Sequence, residues 1–197
     1  MKKLAAIACL CALTTGAFAQ GLVTFANQPT TLISSGSPGN TQAIPAGAAG
    51  SYYFGLLTSA SQTGPFTFTG NYGTNLAVAG RLSGGPNTGV QVNGWAPGAT
   101  MFFEVAGWSA SLGQTFNNSW VNADGSVGTV TGTGFFGVSA IASGVAGGGP
   151  NSLPPQPLFG SIGVSGFNLG PVGVPEPSSM ALAGLGAAAL LIFRRRK

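Results

Sequence analysis

The chain alternates between short runs rich in apolar and aromatic residues and segments of Gly, Ser, Thr, Asn and Pro. The runs have the length of β-strands, and no long stretch keeps the 3.6-residue period of an amphipathic helix. The candidate strands are residues 21–26, 52–57, 100–108, 135–141 and 158–164. The pattern therefore predicts an all-β chain.

Side chains of the candidate strand 100–108 alternate between its two faces, because successive residues of a strand point in opposite directions. Met101, Phe103 and Val105 lie on one face, and Phe102, Glu104, Ala106 and Trp108 lie on the other. The first set is wholly apolar, whereas the second contains a carboxylate. We therefore expect the first face to be the core face.

Turn signals between the runs indicate how the strands connect. The pairs Thr69-Gly70, Asn93-Gly94 and Asp124-Gly125 each place a glycine where a turn needs a positive φ. Long loops are expected at residues 34–50 and 147–157. These features predict a single Gly-rich β-sandwich or jelly-roll-like domain over residues 20–169, followed by a linker at 170–173. A Gly-rich solenoid is the alternative, but the sequence has no fixed repeat period.

The N-terminus has the parts of a secretory signal peptide. Two lysines precede an apolar run at residues 4–13. Ala17 and Ala19 then occupy the −3 and −1 positions of a cleavage site before Gln20. We predict a signal helix within residues 1–19, export by the general secretion machinery, and removal of this segment by signal peptidase.

The C-terminus combines a short acidic motif, an apolar run and a basic end. Val174-Pro175-Glu176-Pro177 precedes the apolar residues 178–193, which precede Arg194-Arg195-Arg196-Lys197. A helix at 178–193 would reach about 24 Å, slightly less than a hydrocarbon core of about 30 Å, so it spans when the flanking arginines snorkel. The cationic end stays in the cytoplasm and acts as a stop, which leaves the extended Pro-Glu-Pro peptide at the outer face. We predict a transmembrane segment, with a plain single-span anchor as the alternative to a processed signal.

This arrangement resembles the C-terminus of the PEP-CTERM proteins of Gram-negative bacteria. The resemblance covers residues 174–197 and rests on the motif, the apolar segment and the basic end together. It implies recognition, and removal of the tail, by an exosortase-type membrane protease. It also implies an association with exopolysaccharide, biofilm and the cell surface. The expected course is an inner-membrane-anchored precursor, followed by a product at the cell surface or outside the cell.

Charge is almost confined to the two ends of the chain. Of the seven Lys and Arg, only Arg81 lies between positions 20 and 173, and Glu104 and Asp124 are the only acids there. No basic patch exists that would attract nucleic acid, so we predict no nucleic-acid partner. The same segment contains no Cys and no His, which excludes disulfides and a zinc site.

Catalysis needs titratable groups, and this segment offers few. A carboxylate pair would have to be Glu104 and Asp124, but each has a simpler interpretation. We expect Glu104 to pair with Arg81 or to face solvent, and Asp124 to close an Asx-type turn. The spacing of Asn122, Asp124 and Ser126 resembles the start of a calcium loop, but the bidentate Glu of such a loop is missing. We predict that the protein is not an enzyme and that it has no cofactor or metal.

Aromatic side chains are the remaining candidates for a binding site, because aromatic faces stack on sugar rings. The candidates are Trp95, Trp108, Trp120, Tyr52, Tyr53 and Tyr72. Most of them are expected in the core, where aromatic residues dominate burial. Trp120 follows three polar residues, Asn117 to Ser119, so we expect it to be exposed and available for carbohydrate contact.

The sequence favours an exported, non-enzymatic cell-surface or extracellular matrix protein that is linked to exopolysaccharide or biofilm. The near absence of charge removes self-repulsion, which favours association with exopolysaccharide or with like chains. A carbohydrate-binding module that uses exposed aromatics is the alternative hypothesis.

Overall fold

A computed structural model of the chain describes residues 20–37, 39–44, 50–149 and 153–173. These residues form twelve strands and two short 3-10 turns, at Ala110–Leu112 and Asn118–Trp120. The strands are β1 (Gly21–Thr24), β2 (Ser34–Ser35), β3 (Gln42–Ala43), β4 (Tyr52–Ser59), β5 (Thr67–Asn75), β6 (Leu82–Ser83), β7 (Val90–Val92), β8 (Thr100–Ser109), β9 (Gly134–Val138), β10 (Ala142–Val145), β11 (Gln156–Pro157) and β12 (Asn168–Val172). The predicted all-β class is confirmed. The expected signal helix and the transmembrane segment 178–193 lie outside the described residues, among which no helix is long and apolar enough to cross a membrane.

Four of the five candidate strands overlap a strand of the structure, namely β1, β4, β8 and β9. The fifth candidate, 158–164, forms only a single parallel bridge between Phe159 and Val164. The sequence pattern missed β5 and β12, because both are interrupted by glycine or proline and lack a run of apolar residues. Backbone pairing with neighbouring strands, and not an apolar pattern of their own, holds β5 and β12 in the sheet.

The strands form two sheets. The large sheet has the order β3-β2-β12-β9-β8-β4-β5-β6, and the small sheet has the order β11-β1-β7. The longest ladder joins β4 to β8 in antiparallel register from Tyr52↔Ser109 to Ser59↔Phe102. The other edge of β8 is shared, because β9 pairs with its C-terminal half and β10 with its N-terminal half. β8 is therefore the central strand of the molecule.

Two expected irregular regions contribute to these sheets. The predicted loops 34–50 and 147–157 contain the two-residue strands β2, β3 and β11. Residues 170–172, which we expected in a linker, form the second part of β12 and pair with β9 from Gly170↔Phe136 to Val172↔Gly134. Backbone pairing with distant segments orders these residues, and such pairing leaves no periodic pattern in a local window.

Two hydrophobic clusters lie on opposite faces of the large sheet. The first joins the two sheets and contains Val23, Phe25, Val92, Trp95 and Leu158 together with Phe54, Leu56, Phe103 and Val105 of β4 and β8. The second contains Leu57, Phe66, Ala106, Trp108, Trp120, Val121 and Phe136. Phe103 and Val105 confirm the predicted core face, and Met101 packs partly buried against it. The opposite face is also covered, so β8 is buried on both sides.

Candidate functional site

The expectation that Trp120 is exposed is wrong. Its side chain is only 4% exposed and packs edge-on against Trp108 and Phe136, with ring centroids 5.5 and 5.7 Å away. The polar residues before it form a 3-10 turn in which the Asn117 side chain accepts a hydrogen bond from the Ser119 N–H. This turn exposes the polar residues and directs Trp120 inward. The polar residues before Trp120 therefore indicate that the turn is exposed, but they do not indicate that the Trp120 indole is.

Tyr72 lies beside the second cluster, with its ring 6.1 Å from that of Trp108, and reaches solvent. It is 37% exposed, and its ring packs edge-on against Phe68 at 4.9 Å. The Phe116 backbone N–H donates a 3.1 Å hydrogen bond to the Tyr72 hydroxyl oxygen. The rings of Phe68 and Phe116 in turn lie 4.8 Å apart. Strand β5 and the loop after β8 thus present three aromatic rings side by side at the surface, and we call them the aromatic ridge.

A groove of about 520 Å³ runs beside the aromatic ridge. It is lined by Leu57, Phe66, Thr67, Phe68, Phe116, Asn118, Val121 and Ala123. None of these side chains is ionisable. The exposed side chains of Thr67 and Asn118 supply hydroxyl and amide groups at its rim. The groove therefore combines aromatic surface with neutral hydrogen-bonding groups, which suits a neutral, hydroxyl-bearing ligand.

Glu104 is fully buried on the second-cluster face of β8, and neither of its carboxyl oxygens has a hydrogen-bond partner. Burial and, to a smaller extent, the nearby charge of Asp124 raise the pKa of the Glu104 carboxyl from 4.5 to about 8. The side chain is therefore protonated at neutral pH. The expected alternatives of a pairing with Arg81 or exposure to solvent are both wrong.

Arg81 has a different role. Its Nε donates a 3.2 Å hydrogen bond to Asn27 Oδ1, which also accepts from the Leu82 N–H at 2.9 Å. The Asn27 amide nitrogen donates to the carbonyl oxygens of Thr31 and Gly80. Asn27 thus satisfies the backbone around the start of β6, and Arg81 completes this polar network instead of reaching Glu104.

Asp124 forms the predicted Asx-type turn. Its Oδ1 accepts hydrogen bonds from the Ser126 N–H at 3.0 Å and from the Ser126 hydroxyl at 2.7 Å. These donors favour the charged form, so the pKa of Asp124 is lowered. Gly125 has the expected positive φ of +84°, as Gly70 and Gly94 do at +86° and +80°. The turn closes a short hairpin through the bridge Val121↔Val127.

The structure brings together the two acids of residues 20–173, the part of the chain that we call the body. Glu104 lies beneath the turn that carries Asp124. A Cβ atom on Gly125 would be 2.7 Å from Glu104 Oε2, so the carboxyl touches the backbone of the turn. The two acids differ in access, because Asp124 is exposed and Glu104 is not. Within the described part of the chain, no three His, Cys, Asp or Glu side chains lie together in a way that could hold a metal ion.

Most of the residues expected to direct export and processing lie outside the described residues. These are Ala17, Ala19, Val174, Pro175, Glu176, Pro177, Arg194, Arg195, Arg196 and Lys197. Gln20, the expected first residue after cleavage, is half-buried and immediately precedes β1. The ordered sheets thus begin at Gly21 and end at Val172, next to the two expected processing sites.

Residues 173–197 match the family described as the PEP-CTERM protein-sorting motif. This match confirms the resemblance drawn from the acidic motif, the apolar segment and the basic end. No curated protein and no solved structure is significantly similar to the chain.

The motif defines the class of the protein as a precursor that is exported and passes the membrane on its way to the cell surface. The motif also implies processing by exosortase, which is itself a membrane protein. The chain therefore carries a PEP-CTERM sorting motif directly after an all-β body.

Proposed function

We propose that this protein is a non-enzymatic component of the cell surface or of the extracellular matrix, released from its sorting tail and linked to exopolysaccharide or biofilm. In this proposal residues 20–172 form one β-sandwich-like unit that acts by association. The proposal rests on one observation: the same chain has a surface-sorting motif and a body with almost no surface charge.

The few charged groups of the body leave its surface nearly neutral. Glu104 is buried, and the half-buried Arg81 is bonded to Asn27. Among Arg81, Glu104 and Asp124, only Asp124 is an exposed residue. Apolar side chains are exposed as well, including Val78 and Ile162 at 61% and 63%. With little repulsion to oppose it, such a surface favours contact with like chains and with uncharged polymers.

The first test is the intact mass of the protein recovered from the cell envelope and from the medium. We expect a protein species whose mass corresponds to a chain that begins at Gln20 and ends near residues 175–177. A species that still ends at Lys197 in the membrane fraction would instead make the tail a plain anchor and contradict the proposed release.

The second test measures self-association of the processed protein by sedimentation across a range of concentrations. Val78→Lys with Ile162→Lys adds two positive charges at exposed positions, while Val78→Ser with Ile162→Ser removes the same apolar surface without adding charge. We expect the wild-type protein to associate and the lysine variant to stay monomeric at low salt, with association restored as salt screens the repulsion. The serine variant separates the loss of apolar contact from the gain of charge. A monomeric wild-type protein at all concentrations would contradict association with like chains.

Carbohydrate binding is a second candidate function, and the groove beside the aromatic ridge is the observation that favours it. In this second proposal the sugar contacts Phe68, Tyr72 and Phe116 instead of Trp120. The test is retention of the processed protein on the neutral fraction of the host's exopolysaccharide. We expect retention to fall in Tyr72→Ala and to persist in Ile162→Ala, which removes a still more exposed apolar side chain elsewhere, 63% exposed against 37% for Tyr72. Equal retention of the two variants would exclude the ridge as the binding site, and turnover of the polysaccharide would contradict both non-enzymatic functions.

A further inference from the structure

The sorting motif begins two residues after β12, the last strand, so the position where β12 ends fixes where the motif leaves the body. β12 lies inside the large sheet, between β2 and β9, and ends at Val172, which is paired with Gly134. The next residue, Gly173, packs directly on the carbonyl oxygen of Gly132 and has a φ of +62°. The chain is thus held against the body up to the residue that precedes Val174.

The motif cannot move far from this point. Each residue of an extended chain spans at most about 3.6 Å, so the four residues 174–177 reach no more than about 14 Å from Gly173. Strand β8 alone has ten residues and a length of roughly 33 Å. A protease that grips the motif therefore works within less than half the length of the central strand from the folded body.

The surface around the exit point consists of three segments, which we call the tail-proximal face. They are the loop before β9 at residues 131–133, the 3-10 turn Ala110–Leu112, and Ser51. The Ser109 hydroxyl accepts a hydrogen bond from the Phe135 N–H, and the Ala110 N–H donates to the Ser51 carbonyl oxygen. These bonds and the β-ladders hold the three segments together at the end of the sheet where β12 finishes.

The chemistry of the tail-proximal face is uniform. Its residues are Gly, Ser, Thr, Ala and Leu, and none carries a charge. Thr131 and Thr133 are exposed beside the exit point. Small and neutral side chains allow a partner to approach the backbone closely, and they present no charge that a partner would have to desolvate.

We propose that the tail-proximal face is the surface on which exosortase contacts the folded body while it processes the tail. The inference rests on the proposed release of the tail. The short tether requires the contact, because an enzyme holding residues 174–177 has no room to avoid the loop before β9. The opposite end of the sheet, marked by the exposed Ala60 after β4, lies beyond this reach, because Ser59 pairs with Phe102 at the other end of β8.

The test is site-specific photo-crosslinking in cells that make the full-length precursor together with epitope-tagged exosortase. The crosslinking residue is placed at Thr131 on the tail-proximal face or, as the matched control, at Ala60. We expect a crosslink to exosortase from Thr131 and none above background from Ala60. Twelve flexible residues inserted between Gly173 and Val174 should lower the Thr131 crosslink roughly five-fold, because a longer tether lowers the effective concentration of the body at the enzyme.

The possible outcomes separate the contact with exosortase from the release of the tail. Equal crosslinking from both sites, or a Thr131 signal that the insertion leaves unchanged, would overturn the inference while leaving processing intact. Crosslinks from Thr131 to lipid alone would overturn it in favour of a membrane contact. A tail that remains on every variant, including the wild type, would refute the proposed release and the inference with it.

Discussion

The carboxyl group of Glu104 lies directly beneath Gly125, so closely that a Cβ atom at position 125 would be 2.7 Å from Glu104 Oε2. Both carboxyl oxygens lack a hydrogen-bond partner, and the residue has no exposed surface. A buried polar group without a partner costs stability even when neutral, and it costs far more when charged. The contact therefore links the packing of the hairpin turn at Asp124 to the protonation state of the Glu104 carboxyl on β8.

Glu104 should make the stability of the fold depend on pH. Its folded-state pKa is raised to about 8 from 4.5, so between these values the folded protein binds more protons than the unfolded chain. The stabilising effect of protonation is complete below about pH 4.5 and is lost as the pH rises through 8. We expect the free energy of unfolding to fall by a few kcal/mol across this range. Urea unfolding of the processed protein at a series of pH values measures it.

Glu104→Gln is the variant that isolates this effect, because the amide has a similar shape and does not ionise. We expect its stability to be nearly flat between pH 4.5 and pH 8, where the wild type loses stability, and to exceed that of the wild type at the upper end. Asp124→Asn is the control. The pKa of Asp124 is lowered, so its own titration affects stability only below the ordinary Asp pKa. This variant should therefore keep most of the slope, reduced only by the smaller part that the Asp124 charge contributes to the raised pKa of Glu104. An unchanged slope in Glu104→Gln would show that another group titrates.

Gly125→Ala should destabilise the fold by about 2–3 kcal/mol, through backbone strain at a positive φ and through overlap with the Glu104 carboxyl. Gly70→Ala is the matched control, because its φ of +86° is nearly that of Gly125 at +84° and no atom lies within 4 Å of its added Cβ. It should lose only the backbone component, about 1 kcal/mol. Chemical unfolding of both variants gives the difference, and equal losses would mean that the turn moves away from Glu104 without cost.

Trp120→Ala should lower the free energy of unfolding by about 3–5 kcal/mol, because it empties part of the second cluster. Tyr72→Ala should cost much less, since Tyr72 is 37% exposed and Trp120 is 4% exposed. Tyr72→Phe keeps the ring and removes the acceptor of the Phe116 N–H, which measures the hydrogen bond alone. Urea unfolding of the three variants tests the assignment, and a small effect of Trp120→Ala would return this residue to the surface.

Leu169→Ala should cost about 2–5 kcal/mol, because this side chain of β12 is fully buried in the first cluster. Leu153→Ala makes the same chemical change at an exposed position and should cost much less. The comparison checks whether residues 168–172 are part of the folded body or of a linker. If the two variants unfold at the same urea concentration, β12 does not contribute to stability.

The site predictions from the sequence succeeded where local chemistry decides the structure. Asp124, Gly125 and Ser126 form the expected turn, because an Asx side chain bonds to the backbone two residues onward and glycine adopts a positive φ without strain. The alternation within β8 also placed Phe103 and Val105 correctly in a core. These results depend only on residues close together in the chain.

The predictions failed where distant segments decide. Glu104 was expected to pair or to face solvent, since nothing near it in sequence indicates that the 121–127 hairpin covers that face of β8. Trp120 was expected at the surface because its neighbours are polar, but a 3-10 turn directs it into the second cluster. β5 and β12 have no apolar period of their own and exist through their ladders with β4 and β9.

The sequence by itself determined the all-β class, the hairpin turns and the sorting motif, because strand propensity, turn chemistry and the motif are all encoded in short windows of residues. Only the tertiary structure decided which faces are covered, where the aromatic groove lies and how close the motif stays to the folded body. Burial depends on which segments meet across the sheets. Long-range backbone pairing and packing determine which segments come into contact, and a local pattern of residues does not predict them.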